Sequence, residues 1–301
     1  MPARFGFAAV FGVLGVSALS GCGGSDGDNG GGSSGGSLGR PSGGSGGIVI
    51  TGGTSSGGSS SGGTSSGGAG GGNCSPALTG IVRDFRAYDG GKGHPDFETF
   101  TGNGEKGLVQ PDLGNDHKPV FAHTGDWMGT TGGCQRDGQN NVRCVTSPDT
   151  YNQWYRNVSG VNQPIEFTVT LTPGANGIAT YDNSNFYPIE GKGFGNEGRT
   201  HNYHFTFELH MTFKYRGGES FAFTGDDDLW VFVNNRLAID LGGLHPAQSD
   251  TLNLDAKATE LGIQVGGEYP LDFFHAERHT SESNFKVQST LNFTNCNPIV
   301  Y

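Results

Sequence analysis

From His204 to Tyr215 the chain alternates without a break. Phe205, Phe207, Leu209, Met211, Phe213 and Tyr215 fall on one side, and His204, Thr206, Glu208, His210, Thr212 and Lys214 on the other. A period of two marks a β-strand with one buried face. Ile165 to Leu171 repeats the pattern, and Phe221 with Phe223 begins another strand. Leu229 to Val233 and Leu237 to Ile239 flank Asn234-Asn235. That pair suits a type I′ turn because Asn tolerates positive φ, so a hairpin is predicted here. Tyr269 to Phe274 and Phe285 to Phe293 predict a further pair of strands. One short helix is predicted, with Ser147 as N-cap, Pro148 in the first turn and the body over Asp149 to Asn157. No helical period persists, which excludes coiled coils and helical repeats. Many short strands with Gly-rich turns predict an all-β domain over 74–301, an antiparallel β-sandwich or barrel with few short helices.

Upstream of Cys74 the alternation stops. Of the 56 glycines in 301 residues, many crowd into 23–73, where Gly and Ser dominate. Such a segment buries too little apolar surface to offset its ordering entropy, so it is predicted to be a disordered tether. Its r.m.s. reach is roughly 40 Å. At the N-terminus Arg4 precedes an apolar run, Phe5 to Leu19, that is too short for a stable span and reads as a signal peptide over 1–21. The run ends in Leu19-Ser20-Gly21-Cys22, which resembles the bacterial lipobox. That resemblance implies an acylated Cys22 and attachment to the membrane through lipid alone. With Gly23 rather than Asp after the cysteine, it implies the outer membrane and cell surface of a bacterial envelope. The alternative is an ordinary secretory signal with an incidental cysteine. The expected organisation is a signal over 1–21, a lipidated tether over 22–73 and a β domain over 74–301.

Charge and cysteines narrow the partners. The net charge of −11 disfavours nucleic acid and anionic surfaces and suits cations or neutral ligands. The only long apolar run is N-terminal, so a multi-pass membrane protein is excluded. Besides Cys22 there are four cysteines, Cys74, Cys134, Cys144 and Cys296. An even count in an exported chain predicts two disulfides. Three pairings are open, and Cys134–Cys144 with Cys74–Cys296 is the favoured set. No CxxC pair speaks for zinc.

The densest charge lies in Gly225-Asp226-Asp227-Asp228, directly before an apolar strand. Adjacent carboxylates repel, and a hard cation with a preference for oxygen ligands relieves that, so calcium is the expected cofactor. A water-solvated acidic turn is the alternative. His275, Glu277 and His279 would share a strand face, but their spacing matches no metalloprotease motif. Gly102-x-Gly104-x-x-Gly107 and Gly193-x-Gly195-x-x-Gly198 fit the dinucleotide fingerprint literally. Neither lies between a strand and an amphipathic helix, so no nucleotide is expected. There is no nucleophile elbow and no P-loop, and no catalytic residue is singled out.

The series GDDDLWVFVNNRLAIDLGGLH (225–245) and LDFFHAERHTSESNF (271–285) resembles the fibro-slime domain family. TGIVRDF (79–85), HPDFE (94–98), YNQWYRNVSGVN (151–162) and 205–228 continue the likeness over nearly all of 74–301. Fibro-slime domains resemble the wider PA-fourteen β-sandwich superfamily of protective antigen, flocculin lectins and some glycosidases. The resemblance implies a surface protein in an adhesive or matrix setting. In the lectin branch two adjacent Asp bind calcium, and calcium meets sugar hydroxyls. Here that pair falls on Asp226 and Asp227, with Asp228 where many members have Gly. Asn284 and Glu277 are the candidate further ligands. The expected function is a non-enzymatic, surface-anchored, calcium-dependent binder of extracellular glycan or matrix polymer. The alternatives are a structural matrix component without a glycan pocket and an accessory module of carbohydrate-active machinery.

Overall fold

The computed structural model describes residues 77–122, 135–136, 142–280 and 282–295. The predicted signal and tether, with Cys22, Cys74, Cys134 and Cys296, lie outside the described residues. In chain order the elements are β1 (Ala77–Phe85), β2 (Gln135–Arg136), β3 (Val142–Arg143), α1 (Pro148–Tyr151), β4 (Asn162–Thr170), β5 (Thr172–Pro173) and β6 (Ala179–Asn183). There follow β7 (Phe205–Lys214), β8 (Ser220–Gly225), β9 (Asp228–Val233), β10 (Arg236–Leu241) and β11 (Gln248–Asn253). Then come α2 (Leu254–Leu261), β12 (Glu268–Glu277), β13 (Phe285–Ser289) and β14 (Asn292–Asn295).

Two sheets make a β-sandwich. One runs β10-β9-β12-β7-β1-β4, with β14 added on β7; the other runs β11-β8-β13-β6-β5. Every strand pair of the two sheets is antiparallel. Phe205, Phe207 and Phe213 of β7, Phe221 and Phe223 of β8, Phe273 of β12 and Phe285 of β13 fill the space between them. The predicted hairpin forms as β9–β10, and Asn234 and Asn235 both take positive φ, 52° and 64°. These values match the type I′ turn, whose twist suits the flanking strands.

The structure departs from the sequence reading in four places. Tyr269–Phe274 and Phe285–Phe293 do not pair with one another: β12 joins β7 and β9, while β13 joins β6 and β8 in the opposite sheet. Both segments are apolar enough to be buried, and alternation carries no record of a strand's partner. The helix after Ser147 is one turn long and continues as turns, although its capping box forms as its residues suggest. A second helix, α2, lies outside the sequence-based expectation; Asn253 caps its start and Gly262 ends it in the left-handed conformation. Lastly, both faces of β7 are buried along most of its length.

The cover on that second face shapes the rest of the molecule. Phe97, Leu108, Val109, Tyr151, Trp154 and Tyr155 lie over Trp230, Phe232 and Phe274 of the seven-stranded sheet, forming a second core. The polar residues of β7 therefore end up inside and must find partners. Glu208 meets Arg83 at 2.9 Å and Lys118 at 2.7 Å, His210 Nδ1 lies 2.7 Å from Asp272 Oδ1, and the Thr206 hydroxyl donates to the Trp154 carbonyl at 2.6 Å.

Buried carboxylates give the domain a definite pH profile. Burial pushes Asp84 up to about 6, although Asn202 and the Phe194 amide donate to it. Burial also opposes ionisation of Glu98 and Glu208, but hydrogen bonds from His204 and Thr280 to the first, and from His210 with the charges of Arg83 and Lys118 to the second, bring both down to about 2. An acid raised in the folded state contributes stability that is present below its unfolded pKa and lost as pH rises through the folded one. An acid held low contributes stability above its unfolded pKa and loses it as pH falls through the folded value. Asp84, with Asp227 and Glu277 raised in the same sense, should therefore lower the melting temperature as pH rises above about 4. Buried His275 partly offsets this, because its lowered pKa contributes stability that grows over the same range. The melting temperature should fall again towards about pH 2. Thermal scans across that range test this. Asp84→Asn should flatten the limb above pH 4, and an unchanged limb would contradict the assignment.

Candidate functional site

β8 and β9 are joined by Asp226 and Asp227 at one end of the sandwich. Gly225 precedes them because a Cβ there would lie 2.5 Å from the Asn284 carbonyl oxygen and 2.5 Å from the Phe223 ring. Asp227 takes positive φ, 55°, a conformation Asp tolerates better than most residues. Its amide donates to the His245 carbonyl at 3.1 Å, tying the turn to the segment after β10.

The pleat of the sheet then separates the three carboxylates. Asp228 opens β9 on the side of Trp230 and Phe232, beneath the second core. There its Oδ2 accepts from Arg278 Nε at 2.6 Å and its Oδ1 from the Gly243 amide at 2.6 Å. Arg278 is itself fully buried, with its guanidinium 4.6 Å above the Trp154 ring. Asp228 thus has its cation within the protein and is removed from the expected calcium set. Asp227 Oδ2 accepts from the Arg278 amide at 2.6 Å. Asp226 accepts from the amide and the side chain of Asn284, so the structure does bring Asn284 to the site.

Asp226 and Asp227 face a hollow of about 290 Å³ also lined by Glu277, Glu282, His245 and His279. Four carboxylates line it, with no lysine or arginine. Glu277 is almost fully buried and its Oε2 has no hydrogen-bond partner. Burial, followed by the charges of Asp227 and Asp226, holds Glu277 well above the usual carboxylate range. Burial pushes Asp227 up to about 6; the charge of Arg278 opposes this and that of Asp228 adds to it. Asp226 is raised as well, chiefly by burial. These groups are crowded, poorly solvated and short of positive charge, which is the condition that a bound cation relieves.

Among the described residues no three His, Cys, Asp or Glu side chains form a metal-holding cluster. A calcium ion at this hollow would have to draw most of its oxygens from backbone, amide, water or ligand. His275 does not join this set. It packs among Phe186, Phe205, Phe223 and Phe285, and burial lowers its pKa to about 3. The expected His275–Glu277–His279 face thus divides between core and hollow. Thr101, His245 and Glu282 line the hollow too, yet no local pattern marks them, because each comes from a different stretch of chain.

The acidic turn, Leu244 to Pro246, Glu277, His279 and Glu282 fall within one sequence match, and Thr101 and Gly102 lie outside it. Residues 194–299 match the PA14 domain. The PA14 part of the sequence resemblance is thus met over that stretch, and the two-sheet sandwich carries it. Curated relatives come from Dictyostelium discoideum. Protein psiD is 41% identical over 224 residues, covering 71% of this chain and 42% of that protein. Protein psiQ is 38% identical over 204 residues, covering 63% of this chain and 19% of that protein. Protein psiC is 38% identical over 213 residues, covering 67% and 39%. The chain spans less than half the length of these three relatives. Among solved structures, the PA14 sugar-binding domain of an RTX adhesin aligns at 7% identity with a TM-score of 0.25, covering 72% of this chain and 94% of that one. The epithelial adhesin 6 A domain of Candida glabrata, solved with Galb1-3GlcNAc, aligns at 15% identity with a TM-score of 0.26, covering 76% and 88%. Likeness at such scores carries no inference about the site of this chain.

Proposed function

We propose that the PA14-containing β-sandwich binds neutral hydroxyls of an extracellular glycan or matrix polymer at the acidic hollow, with calcium held by Asp226 and Asp227. The observation that carries this reading is the partnerless Oε2 of buried Glu277 in a hollow lined by four carboxylates and no basic chain longer than histidine. A bound calcium ion would supply the missing charge and leave coordination positions open to hydroxyl oxygens. Asn284 would hold Asp226 in place, and the Arg278 amide would do the same for Asp227. The reading is binding without catalysis. The signal-like N-terminus, Cys22 and the Gly/Ser tether support export and lipid anchoring at a bacterial envelope. In that setting the head is presented as an adhesin.

A single shallow site binds weakly, and many copies on one surface compensate through multivalency. The test is adhesion of beads bearing the chain to immobilised polysaccharides. Binding should occur in millimolar calcium and be released by chelator. New reducing ends in the polysaccharide would replace the binding reading with a hydrolytic one, and adhesion indifferent to chelation would remove calcium from it.

Export also predicts that the cysteines are oxidised. Cys144 is fully buried and disulfide-bonded. Gln135 sits opposite Arg143, and Arg136 opposite Val142, a register that suits the favoured Cys134–Cys144 pairing. Thiol titration of the denatured, unreduced mature chain should find no free thiol besides an unacylated Cys22. Two or more reactive thiols would refute the full pairing.

A further inference from the structure

We propose that the binding site continues from the acidic hollow into a second hollow beside it, so that its ligand is an oligosaccharide stretch rather than one terminal sugar; this rests on the glycan reading above. The second hollow, of about 520 Å³, is larger than the first. Both are walled by the same two segments. Thr101 and Gly102 with Leu244 and His245 line the first, and Asn103 to Lys106 with Leu241, Gly242 and Gln248 line the second.

The two segments are fastened to one another. The Gly104 amide donates to the Leu244 carbonyl at 2.8 Å, the Glu105 amide to the Gly242 carbonyl at 2.6 Å, and Gln248 Nε2 to the Asn103 carbonyl at 3.2 Å. They meet through glycine backbone. Gly243 has φ +80°, and a Cβ on it would come 2.6 Å from the Glu105 nitrogen. The contact between the hollows is therefore backbone against backbone, and neither Gly104 nor Gly243 puts a side chain between them.

The chemistry of the second hollow differs from that of the first. It mixes the Lys106 ammonium, the Glu105 carboxylate and the amides of Asn103 and Gln248, so donors and acceptors are both present. Glu105 Oε2 is buried without a hydrogen-bond partner, and a sugar hydroxyl is the kind of donor it lacks. Such a lining takes a neutral polyhydroxylated ring with no need of its own cation.

The test uses the full chain, displayed on beads, against an array of one-, two-, four- and six-residue members of the gluco-, galacto-, manno- and fuco-oligosaccharide series in calcium. Within the series that binds, two residues or more should hold about tenfold tighter than one, equivalent to about 1.4 kcal/mol. Asn103 and Lys106 are exposed, so the Asn103→Ala/Lys106→Ala variant should fold normally. It should lose most of the length gain while its response to the monosaccharide and its melting temperature stay unchanged. A monosaccharide below detection beside a bound disaccharide also supports the extension. Equal binding at all lengths, or a length gain intact in the variant, overturns the extension and leaves the first hollow standing. No binding to any member overturns the glycan reading itself, and the extension with it.

Discussion

Replacing Arg278 by methionine should lower the melting temperature by roughly 6–20 °C. Arg278 is the centre of the second core. Its Nε donates to Asp228 at 2.6 Å, one terminal nitrogen donates to the Cys144 carbonyl at 2.7 Å, and the guanidinium lies 4.6 Å from the Trp154 ring. Both Arg278 and Asp228 are fully buried. Removing one partner of a buried ion pair costs about 3–5 kcal/mol, because the remaining charge has neither water nor counter-ion. At about 2–4 °C per kcal/mol for a domain of this size, the stated range follows. Methionine keeps most of the packing volume, so the effect isolates the charge. Asp228→Asn should act in the same direction and more mildly, since asparagine can still accept from the Gly243 amide. The double variant Arg278→Met/Asp228→Leu should recover part of the loss. A melting temperature for Arg278→Met within about 2 °C of the parent would show that the pair contributes little, as exposed pairs do.

The second large effect concerns calcium. If Asp226 and Asp227 hold the ion with the affinity common in extracellular modules, a Kd of about 0.1–1 mM, then 10 mM calcium stabilises by about 1.4–2.7 kcal/mol through mass action. The melting temperature should rise by roughly 3–10 °C. Asp227→Asn should abolish most of that rise and most of the bead adhesion. It retains an oxygen to accept from the Arg278 amide, so the fold should survive. Asp228→Asn provides the contrast, because Asp228 is paired to Arg278 and does not face the hollow. That variant should melt lower yet keep its calcium increment. Absence of any increment in the parent at 10 mM calcium would falsify the cation reading. Equal loss of the increment in the two variants would restore Asp228 to the site.

These outcomes separate what local pattern carries from what only distant contacts establish. The strands were legible because alternation has a period that only a pleated strand satisfies, as in 204–215 and 165–171. The β9–β10 turn was legible because two adjacent asparagines tolerate the positive φ that this turn imposes. The short α2 could have been found from Asn253 and Gly262 at its ends, but eight residues with weak periodicity leave little else to read. The acidic turn and the place of Asp226 and Asp227 in it followed from composition, together with the resemblance.

The sequence by itself thus determined a sandwich-type all-β domain, its main strands and the residues at the centre of the candidate site. Tertiary structure alone decided which strands became neighbours, and so placed β12 and β13 in opposite sheets. It also buried the polar face of β7, because Phe97, Tyr151, Trp154 and Tyr155, all from chain well upstream of that strand, lay an aromatic layer across it. Asp228 and Arg278 are 50 residues apart, and no local spacing marks them as partners. They meet because the antiparallel register of β9 with β12 sets Asp228 opposite Ala276, so that Arg278, two residues on, points from the same face. That register comes from burying two apolar faces at once, a condition of the whole domain and of no single stretch of the chain.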